Sequence, residues 1–306
     1  MKKALHFAGG LTSFEQSLFN NFLAQYATKL EDTLYGGHVT QFSKFTTDPI
    51  YYSENDYIDS LIAAGVSLIT FFGHSSTGSF DYNIGDPEDF TNEGKYFTVY
   101  GNGCNIAAIH GETYTLGERY IFAEDRAAVA FVAAANFSLA SSLNTYASKF
   151  YDEFGKFSYN QSVGDAIQHT ADVLWPGINV YDRMTIENTT LQGDPALRLN
   201  THPKPDYAIE APYVSFVPDV ISPGIDTFYV QLIVSNLGMA IDSTCYIEVK
   251  RINGGGTESV YFERHHTVYY QDTILIPFAT GGSDAVGLNS FTIHIDKENE
   301  IPELLK

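Results

Sequence analysis

Two places in the chain combine a chemically active side chain with backbone free enough to present it. The first is Phe71-Phe72-Gly73-His74-Ser75-Ser76, where an apolar run closes on a glycine and a histidine. The second is Tyr100-Gly101-Asn102-Gly103-Cys104-Asn105, where two glycines precede a cysteine. An imidazole can take the proton of a thiol, and the thiolate is the nucleophile that attacks a carbonyl carbon. Such an attack produces an oxyanion, which backbone N–H groups near Ser75 and Cys104 could receive. Taken singly, a cysteine behind a strand is most often a small packed residue and a loop histidine most often a surface one. Spacing alone leaves both readings of the pair open.

The elements around them decide whether the two can meet. Leu5 to Ala8 reads as a short strand ending in Gly9-Gly10. A helix follows, capped by Thr12 or Ser13, with Leu18, Phe22, Leu23 and Leu30 on one face. His38 to Phe42 resembles a second strand, and Asn55 can cap a helix carrying Ile58, Leu61 and Ile62 that stops at Gly65. Val66 to Phe72 is continuously apolar, as a strand buried on both faces of a parallel sheet must be. Phe97 to Tyr100 and Ala127 to Ala135 read as further strands. Leu116 to Phe122, Tyr146 to Phe154 and Ser162 to Leu174 read as helices, the last stopped by Pro176. Alternating strands and helices mean an α/β domain with a mostly parallel sheet. Ligands of such sheets bind beyond the carboxyl ends of the strands, so His74 and Cys104 share one edge. If their strands are neighbours, the side chains can meet across a cleft.

The pattern changes after Leu197. Pro203, Pro205 and Pro212 mark a linker, and beyond it every element is a strand. Phe228, Val230, Leu232 and Val234 alternate with polar positions, as do Phe291, Ile293 and Ile295, and Gly254-Gly255-Gly256 is a turn between strands. A sandwich of about seven strands and about a hundred residues fits this spacing. The expected domains are therefore 1–203 and 204–306. Cys245 alternates in phase with Ile247 and Val249, which puts it in the sandwich core. With one cysteine in each domain, a disulfide framework is excluded.

Composition bounds the partners. Of 306 residues, 44% are hydrophobic and 18% charged, enough for packed cores. The net charge of −20 repels phosphate backbones and argues against nucleic acid. The acidity reads first as a means of keeping the protein soluble, with structural calcium as the alternative; no cofactor is required by the chemistry. Asp86-Pro87-Glu88-Asp89 reads as a solvated turn, with calcium binding as the alternative. His265-His266 are adjacent on a strand and face opposite sides, which argues against a shared metal. Gly9-Gly10 lacks the spacing of a dinucleotide fingerprint. Trp175, before Pro176, suits packing and a pocket wall equally well. No apolar run is long enough to span a membrane. The stretch after Met1-Lys2-Lys3 is too short for a secretory leader and reads as the first strand, so an export signal would lie outside these residues. Oligomeric state is not legible.

The chain resembles the gingipain family of cysteine peptidases, which share a caspase-like sheet. The resemblance rests on Ser67-Leu68-Ile69-Thr70-Phe71-Phe72-Gly73-His74-Ser75, Asn102-Gly103-Cys104, Leu116-Gly117-Glu118, Val129-Ala130-Phe131-Val132, Ser162-Val163-Gly164-Asp165-Ala166 and Gly193-Asp194-Pro195-Ala196-Leu197. These occur in the family's order from residue 4 to about 200. The resemblance implies a cysteine endopeptidase with His74 and Cys104 as the dyad, a protein or peptide substrate, a secreted or cell-surface location, and an immunoglobulin-like second domain. Ser75 stands where the family usually has the second glycine of Gly-His-Gly. Ala8 stands where Arg-specific members carry a carboxylate behind the histidine, so that support is expected to be absent. Glu118 matches an acid of the family. The pocket region that holds an acid in Arg- and Lys-specific members reads Gly9 to Phe14 here and offers none; Glu15, which follows, is the candidate pocket acid. A preference for small or apolar residues before the scissile bond is expected. Two other functions use the same features: a catalytically silent binding or assembly module, and a transpeptidase whose acyl-enzyme is captured by an amine.

Overall fold

The computed structural model describes every residue except 1, 33, 53–55, 112, 113, 200, 201, 223 and 306. The chain divides into two compact units, Met1–Thr201 and His202–Lys306. The first unit runs β1 (Lys3–Ala8), α1 (Ser13–Glu31), β2 (His38–Ser43), β3 (Tyr51–Tyr52), α2 (Asp56–Ala64), β4 (Leu68–Phe72), β5 (Tyr82–Asn83), β6 (Phe97–Asn102), α3 (Leu116–Phe122), β7 (Ala128–Ala134), α4 (Ala140–Asp152), α5 (Val163–Leu174), α6 (Val180–Asn188) and β8 (Thr189–Gly193). Six strands form one sheet in the order β2-β1-β4-β6-β7-β8. The first five are parallel, and β8 joins the edge antiparallel to β7.

Alternation along the strands sends side chains to two separate cores. Leu5, Phe7, Ile69, Phe71, Val99 and Phe131 pack on one face with Ile58 and Ile62 of α2 and Tyr120 of α3. Ala4, Ala8, Leu68, Phe72, Tyr100 and Val132 pack on the other with Phe19, Leu23 and Leu30 of α1 and Leu143, Tyr146 and Phe150 of α4. All five residues of β4 are buried, because helices cover both sides of it. The fold is an α/β unit with a mostly parallel, helix-flanked sheet, followed by an all-β unit. No described helix is long and apolar enough to cross a membrane.

Several boundaries differ from the sequence reading for identifiable reasons. β6 continues through Gly101 to Asn102, since a glycine pair does not stop a strand paired on both sides. α4 begins at Ala140, well before Tyr146, because its first turns are rich in Ser, Asn and Thr and carry little apolar periodicity. α6 and β8 were not anticipated: Tyr181 and Met184 of α6 are exposed, and β8 is only half-buried, so neither has an apolar face to read. Asn55, the expected cap of α2, lies outside the described residues.

The second unit contains β9 (Tyr207–Ala208), β10 (Val214–Val217), β11 (Thr227–Asn236), β12 (Thr244–Ile252), β13 (Glu258–His266), β14 (Gln271–Ala279) and β15 (Ser290–Ile295). They form two antiparallel sheets, β10-β11-β14 with β9 attached to β11, and β13-β12-β15. Phe228, Val230, Leu232 and Val234 of β11 meet Ile247 and Val249 of β12 in the core. Cys245 is buried in phase with them. His265 and His266 diverge as adjacent strand residues do, and the His265 Nε2 lies 2.9 Å from the Tyr261 hydroxyl.

Candidate active site

Strand register brings the histidine and the cysteine to one place. β4 and β6 are neighbours, and the last ladder pair is Phe72 with Asn102. His74 and Cys104 each follow that pair by two residues, so they leave adjacent strands at the same level. Phe72 faces the α1/α4 side, and a step of two residues in extended chain returns to the same side. The contacts agree: His74 reaches α1, and Cys104 reaches the start of α4. The helices point their N-termini at this edge of the sheet, as connections following parallel strands must.

His74 is held by α1. Its Nε2 lies 3.2 Å from Glu15 Oε1, and Phe19 meets the ring edge-on with centroids 6.2 Å apart. Glu15 is fixed in turn by a capping box: Thr12 Oγ1 accepts from the Glu15 N–H at 3.2 Å, while Glu15 Oε2 accepts from the Leu11 and Thr12 N–H groups at 2.9 and 3.1 Å. Partial burial pushes the Glu15 carboxyl up, but the Leu11 N–H, the His74 imidazole and the Thr12 N–H outweigh it and hold the group below its usual value. The expected lack of a carboxylate behind the histidine is thus corrected. Ala8 offers none, but Glu15 supplies one from the first turn of the next helix. Both Glu15 oxygens are engaged inside the capping turn and at the imidazole. With Nε2–H donated to Glu15, the Nδ1 of His74 is the basic nitrogen.

The loop that carries Cys104 is tied to the loop that carries His74 by Ser75. Ser75 Oγ donates to the Cys104 carbonyl at 2.7 Å. The absence of a side chain at Gly103 makes this contact possible, since a Cβ there would stand 2.2 Å from Ser75 Oγ. The Ser75 and Cys104 N–H groups donate to no acceptor among the described residues. Cys104 is partly buried, and its Sγ donates to the Ser138 carbonyl at 3.4 Å. Ser138 sits just before α4, whose N-cap Leu139 provides no side-chain cap.

Beneath the site lies a buried ion pair that sequence reasoning missed. Asp81 Oδ2 accepts from the Gly10 N–H at 2.8 Å and lies 3.4 Å from Lys44 Nζ, with both side chains buried. Lys44 Nζ also donates to the Asp48 carbonyl at 2.5 Å. Burial pushes the Asp81 carboxyl up, and the Gly10 N–H and Lys44 only partly offset it. The Asp81 N–H donates to the His74 carbonyl at 2.8 Å, so this residue fixes the backbone of the histidine loop. Gly9 and Gly73 leave the space it occupies: a Cβ on Gly9 would stand 1.9 Å from Asp81 Oδ1. Gly9→Ala should therefore lower stability by about 1–3 kcal/mol, the usual cost of overpacking. A urea midpoint equal to that of the parent protein would show that the carboxyl can move aside. No spacing rule links an aspartate in a loop to two glycines that each follow a different strand. Glu15 did carry a signal, the Thr-x-x-Glu spacing of a capping box after a strand.

The remaining candidates make contacts within the first unit. Asp86 and Glu88 are paired with Arg119, whose Nη2 lies 2.9 and 2.6 Å from their carboxylates. Glu118 closes the capping box of α3 with Thr115. Trp175 is half-exposed, with the Arg183 guanidinium 4.8 Å from its ring centre. Among the described residues no group of three His, Cys, Asp or Glu side chains could hold a metal ion.

Comparison with known proteins gives a family and related structures. The family model described as peptidase family C25 matches residues 1–200. A solved structure described as a protease is 15% identical, with a TM-score of 0.50 over 91% of this chain and 67% of its own. The complex of the pro- and mature domains of RgpB from Porphyromonas gingivalis is 13% identical, with a TM-score of 0.49 over 96% of this chain and 68% of its own. The Arg-specific cysteine proteinase gingipain R is 12% identical, with a TM-score of 0.49 over 96% and 66%. The chain thus spans about two thirds of the length of these structures. A search of curated protein sequences gave no match.

Proposed function

The chain belongs to peptidase family C25 and is a cysteine peptidase, and from that premise we propose that it is an endopeptidase working through Cys104 and His74. The observation that supports this is the register of β4 and β6, whose last pair, Phe72 with Asn102, lies two residues before His74 and Cys104. His74 Nδ1 takes the Sγ proton, and the thiolate attacks the peptide carbonyl carbon. The oxyanion is received by the Ser75 and Cys104 N–H groups, which have no other acceptor among the described residues. The imidazolium returns its proton to the leaving amine as the C–N bond breaks, leaving a thioester. Water, deprotonated by His74, then releases the acid and restores the thiol. Glu15 stabilises the positive charge that His74 carries between these steps. Substrate binding turns Sγ from the Ser138 carbonyl toward the imidazole, since contacts in an unliganded site are often looser than in the reacting complex. A secreted or cell-surface location follows from the family resemblance.

A peptidyl acyloxymethyl ketone tests this, because it alkylates an activated thiolate. We expect modification at Cys104 and none in His74→Ala. A protein left unlabelled, or labelled only at Cys245, would leave the dyad without support.

The surroundings of the dyad favour an apolar substrate. The Cys104 thiol touches Ser138, and the residues flanking it, Phe137 and Leu139, are 71% and 50% exposed. On the histidine side, Leu11 and Phe14 are exposed in the capping turn that holds Glu15. The acid nearest the imidazole, Glu15, is already engaged, and Asp81 is buried and paired. A cationic side chain would lose its hydration here with neither of these two carboxylates free to replace it. We therefore expect a mixed peptide library to be cut mainly after small or apolar residues. Dominant cleavage after Arg or Lys would return Glu15 to the role of pocket acid.

A further inference from the structure

The β unit contains a buried cation without a counter-ion, on the wall of an apolar cavity. Arg251, near the end of β12, is only 5% exposed. Its Nε donates to Asn289 Oδ1 at 2.8 Å, Nη1 to the Ala279 carbonyl at 2.5 Å and Nη2 to the Thr280 carbonyl at 3.0 Å. The guanidinium also lies 4.9 Å from the centre of the Phe228 ring. All of these partners are neutral, and no carboxylate pairs with Arg251 among the described residues. Burial pulls its pKa down with no neighbouring charge to oppose it. A guanidinium has five N–H donors, so one on each terminal nitrogen is left over.

Pinning the end of β14 and the segment before β15 to β12 explains the three hydrogen bonds but neither the uncompensated charge nor the space beside it. Burying a cation without a partner is costly, and a hydrogen-bonding side chain of similar length could tie the strands without it. The cavity has a volume of about 350 Å³, and Phe216, Phe228, Phe291, Ala285 and Val286 form much of its wall. Among the described residues no acidic side chain lines it. Ile221 and Val286 are exposed at its edge. A mostly apolar hollow of this size with a few polar side chains, Ser222, Thr280, Asn289 and the charged Arg251, has the make-up of a small-ligand site.

We propose that this cavity binds a compact carboxylic acid with an apolar body, its carboxylate on the free N–H groups of Arg251 and its body among Phe216, Phe291 and Val286. One negative charge matches one buried cation, whereas a phosphate dianion would leave a charge unpaired against aromatic walls. The same chemistry is offered by a free aryl-alkyl acid and by the apolar C-terminal residue of a polypeptide. The site is independent of the peptidase chemistry, so its failure would leave that reading untouched.

Calorimetric titration of the full chain carrying Cys104→Ala, in which no peptide is cut, tests it with four probes. These are 3-phenylpropionate, its amide, acetyl-Ala-Phe and the amidated form of that dipeptide. The acids should bind at least about tenfold more tightly than the amides, since each tenfold corresponds to about 1.4 kcal/mol of lost interaction. Tighter binding by the dipeptide assigns the site to chain ends, and tighter binding by the free acid assigns it to small metabolites; either supports the proposal. Arg251→Met should abolish the acid preference. If that variant does not fold, Ser222→Trp, at the exposed edge of the cavity, should block binding while leaving Arg251 in place. Equal binding of acids and amides, no binding of any probe at millimolar concentration, or acid binding unchanged by Ser222→Trp overturns it.

Discussion

Replacing Cys104 by alanine is expected to remove peptidase turnover completely, and His74→Ala should reduce it by about a hundredfold or more, the usual consequence of losing a general base. The two effects should not add: without the thiol there is no proton for the imidazole to move, so the double variant should match Cys104→Ala alone. Neither change should alter folding much, because Cys104 is only partly buried and His74 is 47% exposed at its side chain. Turnover persisting in purified Cys104→Ala would refute the mechanism, since the other cysteine is enclosed in the core of the β unit.

Glu15→Gln should have the next largest effect. The amide oxygen can still accept from the Leu11 and Thr12 N–H groups, so the cap on α1 survives, while the charge facing His74 is lost. A hydrogen bond to a charged group contributes about 1.5–3 kcal/mol, so kcat should fall about ten- to a hundredfold with little change in KM. A purely capping role would instead lower stability and leave kcat per folded molecule unaltered. The pH dependence supplies a second check. The folded-state pKa of Glu15 is lowered, so its stabilising contribution is complete above the unfolded carboxyl's pKa and disappears as pH falls through the lowered value. Parent and Glu15→Gln proteins should therefore differ in stability by a constant amount near neutrality and converge in acid. A gap that widened on acidification would mean that Glu15 is not ionised beside His74.

The placement of His74 and Cys104 beyond neighbouring strands was legible because apolar runs ending in glycine mark the carboxyl ends of buried strands, where α/β sheets hold their ligands. Ile69, Phe71, Val99 and Phe131 carried that signal strongly, and so did the alternation of Phe228 to Val234. The partner of His74 was misplaced for a geometric reason. Matching by position looked for an acid on the strand itself, at Ala8, whereas the side chain that arrives comes from one turn into α1. A helix start is displaced from its strand by a loop whose path depends on Gly9, Gly10 and the Asp81 contact, and none of these has a periodic signature. Ser138 was missed for the same reason: its carbonyl meets the thiol, and any residue type can present a carbonyl.

Ser75 and Gly103 form one steric unit. The hydroxyl of the first occupies the volume that the second leaves empty, and it fastens the histidine loop to the carbonyl of the nucleophile. Descent through this pair has a permitted direction. Position 75 must shrink before position 103 can grow, because the opposite order passes through an intermediate in which two groups claim the same space. With serine at 75, a side chain at 103 would meet the hydroxyl. In related chains the two positions should change together, and the residue before the nucleophile should stay fixed for as long as the hydroxyl is kept.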